Sequence, residues 1–196
     1  VHPLHCKSMS QGENVKGSMS NVEIEHKFLL NDSFDHDRWG ASCQALDPEN
    51  EKQLRVTDTY YVPTREDNWI YRHRYDSEIQ QLTVKSRGGD TEVRTEINLD
   101  LAGSNQASKV AAFLATLSIQ EKHVVVKQNH VFDFPDCEIV HYVASCGSRS
   151  ISCVEFEAVG AHTVQDALAV LERYELALGF DASKRSKVNL FDLLVR

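Results

Sequence analysis

Two glutamates and a lysine recur at alternate positions near the beginning of the chain, in the stretch VEIEHKFLL. If this stretch is a β-strand, Glu23, Glu25 and Lys27 project from one face, because successive side chains point to opposite sides. The residues between them are mostly apolar and predict that the other face is buried. Carboxylates that project together are the ligands that Mg²⁺ and Mn²⁺ prefer, and an ammonium group beside them can bind a phosphate oxygen. The stretch therefore predicts metal and phosphate binding from one face of a strand.

The same alternation of charged and apolar residues recurs along the rest of the chain. Six strand-like segments carry polar or charged residues on one face: Glu23, Glu25 and Lys27; Arg72 and Arg74; Gln81, Thr83, Lys85 and Arg87; Glu92, Arg94, Glu96 and Asn98; Lys127 and Asn129; Glu155 and Glu157. Any one of them is explained more simply by an exposed antiparallel sheet with cross-strand ion pairs. Recurrence in six strands favours a sheet that closes on itself, so that the charges line its interior.

A sheet that closes in this way encloses a lumen with basic walls and two pairs of glutamates. Lysine and arginine donors suit a chain of several phosphates, and arginine can bind phosphate through two hydrogen bonds. Together with the carboxylates they predict a metal-assisted phosphoryl-transfer site. A slim chain of phosphates fits such a lumen, whereas a nucleic-acid duplex or a membrane surface does not. We also expect the cations to repel one another in the empty lumen, so that replacing Arg74 by alanine costs little stability.

The segments around the charged faces predict the elements that position them. Helices are predicted from Asp35 to Leu46, from Asn105 to Leu117 and from Thr163 to a stop at Gly179, because apolar residues recur there at helical spacing. Strands are predicted at 22–30, 57–62, 68–75, 79–87 and 91–101, and then in HVVVKQNHVFDF, EIVHYVA and SISCVEFEAV. These elements, with strands mostly joined as hairpins, predict the α+β class and an antiparallel sheet that can close into a barrel.

Composition narrows the class of protein. The formal net charge of −8 argues against nonspecific binding of nucleic acid or of an anionic membrane surface, which requires an excess of basic residues. Five cysteines, an odd number without a CxxC pair, favour a reducing compartment over a disulfide framework. No apolar run approaches the roughly 18 residues that span a bilayer. We therefore expect a cytoplasmic protein, with residues 1–20 as a flexible N-terminal tail or tag and residues 21–196 as one folded domain.

The motifs, taken in order, resemble those of the CYTH or triphosphate tunnel metalloenzyme superfamily. The stretch from Glu23 to Lys27 resembles its ExExK signature. The further motifs, in the expected order, are DTYY at 58–61, Arg72-x-Arg74, LTVKS around Lys85, Arg94-x-Glu96, Glu155-x-Glu157 and KRSK at 184–187. The resemblance spans about residues 22–195 and implies a closed eight-stranded antiparallel β-barrel with peripheral helices that binds triphosphate compounds.

The resemblance also implies a role for most of the charged residues. The implied metal ligands are Glu23, Glu25, Glu155 and Glu157. The implied phosphate-binding residues are Lys27, Arg72, Arg74, Lys85, Arg87, Arg94, Lys127, Lys184 and Arg185. Lys27 and Glu96 are implied to act in catalysis, with Glu96 positioning the attacking water or a second metal ion. The implied cofactor is Mg²⁺ or Mn²⁺, and the implied partner is a small triphosphate substrate; a homodimer stays an open alternative.

Three positions depart from the family pattern. Asn129 stands two residues after Lys127, where the family usually has an arginine. His141 aligns where the family commonly has an aspartate, with Asp133 as a poorer match, and Lys187 replaces a common terminal tyrosine. The loss of one phosphate donor and one carboxylate predicts weaker binding, a different substrate or a protein without turnover.

The resemblance leaves several activities open, since the superfamily includes inorganic and thiamine triphosphatases, class IV adenylate cyclases and RNA-capping triphosphatases. EIEHKFLL is similar to the corresponding stretch of inorganic and thiamine triphosphatases, and a slim lumen without an aromatic platform favours inorganic triphosphate. Residues 107–119 are similar to a segment of the cyclases, which convert ATP to cyclic AMP and pyrophosphate. A polyphosphate-binding module without turnover is a further alternative. Trp69, Tyr71 and Tyr75 could stack on an organic ring, although core or rim packing explains them more simply.

Overall fold

The computed structural model describes residues 21–63, 68–87 and 92–195. Within these ranges the chain forms the strands β1 (Val22–Leu29), β2 (Asn50–Pro63), β3 (Trp69–Tyr75), β4 (Gln80–Ser86), β5 (Val93–Asp100), β6 (Ile119–Asp133), β7 (Cys137–Cys146) and β8 (Arg149–Ala158). The helices are α1 (His36–Gln44), α2 (Ala107–Thr116), α3 (Val164–Ala177) and α4 (Leu190–Val195), with a 3₁₀ turn at Ala182–Lys184. The predicted tail at 1–20, and parts of two predicted turns at 64–67 and 88–90, lie outside the described residues.

The strands close into an antiparallel barrel. Their order around it is β1-β5-β4-β3-β2-β6-β7-β8, and each neighbouring pair runs antiparallel. This closure confirms the predicted α+β fold with its eight-stranded barrel and peripheral helices. β2 begins at Asn50 rather than at the predicted Thr57 and pairs with β6 along its whole length. The sequence analysis did not predict this part of the strand, because the charged residues of NEKQLRV resemble those of a solvated loop.

The outer face of the barrel packs against the helices. Ile24 and Phe28 of β1 and Phe156 of β8 share a buried cluster with Trp39 of α1 and Leu171 of α3. α2 covers a second part of the outer face, against β2 and β4. Along β1 and β8 these apolar residues alternate with the charged ones, so the strands bury one face under the helices and turn the other inward.

Local sequence signals set the ends of α1 and α3. The carboxylate of Asp35 accepts a hydrogen bond from the backbone N–H of Arg38 at 2.9 Å, and the hydroxyl of Thr163 accepts one from the N–H of Asp166 at 3.1 Å. The chain leaves α3 at Gly179, whose φ of 74° is a conformation that glycine adopts without steric cost. With its ends fixed in this way, α3 packs along β1 and β8, the two strands that carry all the predicted metal ligands.

The short helix α4 fills one end of the barrel. Leu190, Phe191 and Leu194 are buried against inward-facing apolar residues of β2, β3, β6, β7 and β8. The Nη2 of Arg87, just after β4, lies 2.6 Å from the carboxylate of Asp192 in α4. The interior of the barrel is therefore apolar at this end, and the charged residues occupy the remaining part.

Candidate active site

The charged faces of the strands enclose a cavity of about 340 Å³ inside the barrel. All eight strands contribute to its wall, and the C-terminal segment adds Asn189, Leu190 and Phe191. The predicted site residues in the lining are Glu23, Glu25, Lys27, Arg72, Arg74, Lys85, Arg94, Glu96, Lys127, Glu155 and Glu157. The alternation of charged residues along the strands therefore converges on a single place in the fold.

Three predicted phosphate-binding residues lie elsewhere. Arg185 lies on the outer side of β1, where its guanidinium pairs with Glu175 of α3 at 2.5 Å. Lys184 is exposed in the 3₁₀ turn, and Arg87 pairs with Asp192 at the end of the barrel filled by α4. The structure therefore does not bring these three residues to the cavity, because Arg87 is held by Asp192 of α4 and the C-terminal turn lies outside the strands.

β7 supplies a carboxylate that the sequence analysis missed. Glu138, Val140 and Tyr142 line the cavity, so His141, which stands between them, lies on the outer face of the barrel. The sequence analysis aligned His141 with an aspartate that faces the interior. This alignment is wrong, because His141 belongs to the set of alternate residues on β7 that faces outward. Glu138 occupies the wall instead, and a carboxylate is present on this strand after all. Asp133, the poorer match, ends β6 outside the cavity lining.

The cavity is close to electrically balanced. Among the described residues its lining contains six cations, Lys27, Arg72, Arg74, Lys85, Arg94 and Lys127, and six carboxylates, Glu23, Glu25, Glu96, Glu138, Glu155 and Glu157. The expected crowding of unrelieved cations is therefore wrong. The interior carries more carboxylates than the motifs alone indicate, and most of them are paired with a lysine or an arginine.

Two of these cations bind the predicted metal ligands of β1. The Nη2 of Arg94 lies 2.9 Å from Glu23 and 2.5 Å from Glu25. The Nζ of Lys85 lies 2.7 Å from Glu23 and also contacts Glu96. Burial and the charge of Glu23 would raise the pKa of Glu25, but the surrounding cations outweigh them and hold it below its usual range. Glu25 is therefore ionised, and both glutamates are occupied by protein cations.

Lys27 joins β1 to β8. Its Nζ lies 3.0 Å from Glu155 and 3.4 Å from Glu25, and the hydroxyl of Tyr142 donates a hydrogen bond to Glu155 at 2.8 Å. Burial would lower the pKa of Lys27, but the two carboxylates outweigh it and raise the pKa above its ordinary value. Lys27 therefore stays protonated at neutral pH, between the two strands that carry the predicted metal ligands.

A fully buried carboxylate supports the opposite wall. Asp58 of β2 is 0% exposed and accepts two hydrogen bonds from Arg74, at 2.8 and 3.0 Å. The Nζ of Lys127 lies 3.3 Å from one of its oxygens. Burial would raise the pKa of Asp58, but Arg74 and Lys127 outweigh it and hold the pKa far below its ordinary value. The DTYY motif contains this aspartate, to which the sequence analysis assigned no role.

Arg72 is held more loosely than Arg74, its neighbour on the same face of β3. Its Nη2 donates to the hydroxyl of Thr83 at 3.2 Å and lies 3.6 Å from Glu96. Its buried Nε has no hydrogen-bond partner among the described residues. Because its contact with Glu96 is longer than those of Arg74 with Asp58, the guanidinium of Arg72 is more readily available to a bound anion.

Three carboxylates meet where β1, β8 and β7 lie side by side. Glu25 is opposite Glu157 in the β1–β8 register, and Glu157 is opposite Glu138 in the β7–β8 register. Burial raises the pKa of both Glu138 and Glu157, and the charges of Glu23 and Glu25 raise that of Glu157 further. Carboxylates whose ionisation is opposed by burial and by one another are suited to a cation that neutralises them.

The side chains do not yet stand in the arrangement of a metal centre. Within the described ranges, no group of three or more His, Cys, Asp or Glu side chains has a geometry that could hold a metal ion. The ion pairs give the reason, since Glu23, Glu25 and Glu155 each contact a lysine or an arginine. A metal ion could bind the same carboxylates only if these contacts were exchanged.

Comparison with known proteins identifies the fold. No family model and no curated protein matches the sequence. Among solved structures, a protein from Pyrococcus horikoshii OT3 superposes with a TM-score of 0.69 at 14% identity, covering 88% of this chain and 99% of that one. A putative adenylate cyclase from Vibrio parahaemolyticus gives a TM-score of 0.66 at 12% identity, with 88% and 97% covered. The RNA triphosphatase domain of a mimivirus mRNA capping enzyme gives 0.52 at 11% identity, with 82% and 90% covered.

The chain has the closed eight-stranded barrel that its ordered motifs predict. The closed barrel and the coverage of 88% by the first of these structures confirm the resemblance at the level of the fold. At identities of 11–14% the comparisons speak for the fold alone. Within the part of the chain that the structure describes, no helix is both long and apolar enough to cross a membrane.

Proposed function

We propose that this protein is a divalent-metal-dependent hydrolase that releases phosphate from inorganic triphosphate. The observation that carries the proposal is the cavity, in which lysines, arginines and glutamates surround about 340 Å³ of space inside the barrel. A polyanion that binds together with a divalent cation needs basic and acidic partners in one place. The similarity of the fold to a viral RNA triphosphatase domain supports the proposal.

The carboxylates of the cavity fit a divalent cation. The residues that would hold Mg²⁺ or Mn²⁺ are Glu23, Glu25, Glu138, Glu155 and Glu157. The raised pKa values of Glu138 and Glu157 support this assignment, because a bound cation would offset the cost of burying their charges. A metal ion in this position would withdraw charge from the phosphate oxygens and so favour attack on phosphorus.

The phosphates of the substrate would take over cations that now bind carboxylates. Arg72 lies 3.6 Å from Glu96, while Arg94 and Lys85 lie directly against the glutamates of β1. When triphosphate oxygens replace Glu23 and Glu25 as partners of these cations, the glutamates become free for a metal ion. Triphosphate and metal therefore bind more tightly together than either does alone.

We infer that Glu96 orients the attacking water. Burial would raise its pKa, but Lys85 and Arg72 outweigh it and lower the pKa to about 2, and Asn98 donates to the carboxylate at 2.8 Å. A carboxylate with so low a pKa is a weak base, so Glu96 would orient water by accepting a hydrogen bond rather than removing a proton in advance. Lys27, which stays protonated, would stabilise negative charge on the departing phosphate.

The cavity favours inorganic triphosphate over an organic one. The aromatic side chains in its described lining are Tyr60, Tyr142 and Phe191, and each is at most 5% exposed. They are packed into the wall or into the filled end of the barrel, so they present no open ring face to a base or a thiazolium ring. Trp69 and Tyr75, which are 39% and 37% exposed, lie outside the lining.

Class IV adenylate cyclase activity is the second candidate. The solved structure named as a putative adenylate cyclase from Vibrio parahaemolyticus covers 88% of this chain and supports it. In such a reaction the ribose 3′-hydroxyl of ATP attacks the α-phosphate in place of water, and pyrophosphate leaves. The nucleoside must then be held beside the phosphates, which the lining described above favours less.

A product screen separates these candidates. The protein is incubated with tripolyphosphate, thiamine triphosphate or ATP in the presence of Mg²⁺ or Mn²⁺, and the Glu25→Gln variant serves as the control for contaminating phosphatases. We expect orthophosphate, with the highest kcat/KM for tripolyphosphate. A preference for an organic triphosphate of more than about tenfold, or about 1.4 kcal/mol, contradicts the proposed substrate. Cyclic AMP with pyrophosphate from ATP identifies a cyclase, and tight tripolyphosphate binding without release identifies a binding module.

A further inference from the structure

Among the described residues, the cavity inside the barrel is closed at one end and open at the other. α4 fills the closed end, where Leu190 and Phe191 form part of the lining and are only 6% and 5% exposed. At the opposite end the lining includes Val159, which follows β8 and is 46% exposed. We propose that the cavity takes a phosphate chain only by a free end. Its ligands are then tripolyphosphate, triphosphates esterified at one end and the ends of longer polyphosphates. This inference rests on the proposed function and narrows its substrate class.

Phe191 forms the floor of the closed end. Its ring centroid lies 5.3 Å from that of Tyr60 on β2 and 5.9 Å from that of His123 on β6, and the guanidinium of Arg87 lies 5.7 Å from it. An eight-stranded barrel has an interior just wide enough for side chains or for one small ligand. The aromatic floor offers no donor to a phosphate, and burying a phosphate charge without a partner is costly. A phosphate chain therefore ends at this floor and does not pass through the barrel.

The floor is fixed to the barrel on two sides. Asp192 of α4 lies 2.6 Å from Nη2 of Arg87. The side chain of Asn189 donates to the other oxygen of Asp192 at 2.7 Å and accepts from the backbone N–H of Asp192 at 2.9 Å. The segment before α4 is bound to β1, because the N–H of Ser186 donates to the carbonyl of Lys27 at 2.7 Å. We therefore expect α4 to stay in place when a ligand enters from the open end.

The donors of the cavity lie at different depths. On β3, Ile70 shares a buried cluster with α4, and Arg72 and Arg74 follow at alternate positions toward the open end. The side chain of Arg72 is 6% exposed and that of Arg74 is 21% exposed. On β4, Lys85 is opposite Ile70, whereas Gln81 is opposite Arg74. A terminal phosphate can therefore reach the deep donors Lys85 and Arg72 only if no further group is attached to it.

The size of the cavity limits how much of a long chain it holds. Its volume of about 340 Å³ is near the lower end of the range of about 300–1,000 Å³ for small-molecule sites. A long polyphosphate therefore keeps most of its phosphates outside the barrel. The formal net charge of −8 disfavours binding of this remainder to the outer surface. A long chain should then bind one protein at each of its two ends, whatever its length.

Three ligands with the same number of phosphates test the proposal. Tripolyphosphate has two free ends, ATP has one, and diadenosine triphosphate has none. The full chain is titrated by calorimetry in the presence of EDTA, so that no metal-dependent phosphate release occurs. We expect ATP to bind within about tenfold of tripolyphosphate, since its free end keeps the deep contacts and at most one charge-assisted hydrogen bond is lost. Diadenosine triphosphate should bind at least about a hundredfold more weakly than ATP, because it loses the contacts with both Lys85 and Arg72 and each is worth roughly ten- to a hundredfold.

The two steps of this series separate the effect of a free end from the effect of charge. Each added adenosine removes one acidic oxygen, so charge alone predicts two similar steps in affinity. A free end predicts a small first step and a large second one. Two similar steps, a larger first step or equal binding of all three ligands overturns the proposal.

Long polyphosphate provides a second test on the unmodified chain. Two linear preparations of different mean length are compared with the same polymers blocked at both ends as phosphoramidates. We expect two proteins per chain at both lengths, and loss of this binding when the ends are blocked. A number of bound proteins that grows with length, equal binding of the blocked polymer or no binding of the free one overturns the proposal.

A matched pair of variants shows that the chain ends bind in the cavity. Arg72→Met removes a deep donor and should weaken the binding of the polymer ends. Arg173→Met removes an arginine of α3 whose side chain is 58% exposed outside the barrel, and it should bind like the wild type. The opposite order places the polymer on the outer surface and refutes the proposal.

The outcomes distinguish this inference from the proposed function. If the three ligands bind in the expected order but the product screen shows no phosphate release, the cavity is one-ended and the proposed activity is wrong. If tripolyphosphate is hydrolysed and the blocked ligands bind as tightly as the free ones, the proposed activity stands and the inference is wrong. If tripolyphosphate does not bind at all, both are refuted.

Discussion

Replacing Arg74 or its neighbour Arg72 by methionine distinguishes two roles for the arginines of the cavity wall. Both lie on β3 and face the cavity, and methionine keeps most of the apolar stem of the side chain. Arg74 donates two hydrogen bonds to the fully buried Asp58, whereas Arg72 contacts only Thr83 closely and keeps a buried Nε without a partner in the described residues. We therefore expect Arg74 to stabilise the folded chain and Arg72 to bind the substrate.

The magnitude follows from the burial of Asp58. Removing one partner of a buried ion pair costs about 3–5 kcal/mol, because the other charge is left uncompensated. Lys127 remains 3.3 Å from Asp58 in the Arg74→Met variant, so the loss should lie at the lower end, about 3 kcal/mol. For a chain of this length the Tm falls by about 2–4 °C per kcal/mol, which amounts to about 6–12 °C. Arg72→Met should cost less than about 1 kcal/mol, since Glu96 keeps a lysine as its partner.

The two variants should show the opposite order in substrate binding. A hydrogen bond to a charged group contributes about 1.5–3 kcal/mol, or roughly ten- to hundredfold in affinity. Arg72 lies 3.6 Å from Glu96, whereas Arg74 is fixed by two shorter hydrogen bonds to Asp58, which use two of its five N–H groups. Arg72→Met should therefore weaken tripolyphosphate binding by that factor, and Arg74→Met should weaken it less. Thermal melts without ligand and calorimetric titrations with tripolyphosphate measure the two quantities.

A double variant tests the assigned cause. Combining Asp58→Asn with Arg74→Met removes the uncompensated carboxylate and should recover most of the stability that Arg74→Met loses alone. The reasoning is refuted if Arg74→Met melts at the wild-type temperature and instead loses most of its affinity for tripolyphosphate. That result would support the expectation from the sequence that the cations of the cavity wall are unpaired.

Three further predictions rest on the same charges. Glu25→Gln should keep the circular dichroism spectrum of the wild type. It should release phosphate at less than about a tenth of the wild-type rate at saturating metal, because a hard cation loses an anionic ligand. A faster rate would show that Glu25 is not a metal ligand. In calorimetry, tripolyphosphate should bind at least about tenfold more tightly with Mg²⁺ than without it. The affinity for Mg²⁺ should rise by the same factor when tripolyphosphate is present. Equal affinities with and without the other ligand would contradict the exchange of ion pairs. Because the pKa of Asp58 is depressed in the folded chain, its contribution to stability is present above the unfolded value of about 3.9 and is lost as the pH falls below it. The Tm should therefore drop more steeply below about pH 4 for the wild type than for Asp58→Asn, and parallel profiles would contradict this.

The barrel interior could be predicted from the sequence because the side on which a residue lies is a local property of a strand. Once a segment is a strand, alternate residues must share a face, and this holds for Glu23 with Glu25 and for Arg72 with Arg74 whatever the rest of the chain does. Closure followed because charged faces on so many strands need a common interior when their other faces are apolar. The apolar outer residues then required helices to cover them, as α1, α2 and α3 do.

The same rule fails where a strand ends or where both of its faces are apolar. Arg87 follows β4 and pairs with Asp192 of α4, which separates it from the cavity, and residues 184–185 belong to a turn and its edge, to which the strand period does not apply. In β7 the buried Ile139 faces outward and Val140 inward, and the stretch EIVHYVA offers no contrast between the two faces. His141 was therefore placed on the wrong side, and the inward Glu138 was not recognised.

The pairing of the charges could not be predicted from local sequence at all. Asp58 and Arg74 are opposite each other only in the β2–β3 register, and that register depends on where both strands begin and on the turn between them. The role of Asp58 as the anchor of Arg74 therefore became visible only in three dimensions. The same holds for the salt bridge from Arg94 to Glu25, which joins strands distant in the chain.

The ion pairs explain how a cavity with so many buried cations can fold without a substrate. A buried charge without a partner is costly, so the carboxylates beside these cations are a condition of folding, and the glutamates among them are also candidate metal ligands. Whether a cation contributes mainly to stability or mainly to substrate binding then depends on how closely it is hydrogen-bonded to a carboxylate of the protein. Arg74, bound twice by a carboxylate that never reaches solvent, acts mainly on the fold, because exchanging that partner for phosphate would leave Asp58 uncompensated. Arg72 can accept a phosphate without breaking a strong bond, so binding energy gained there is retained as affinity.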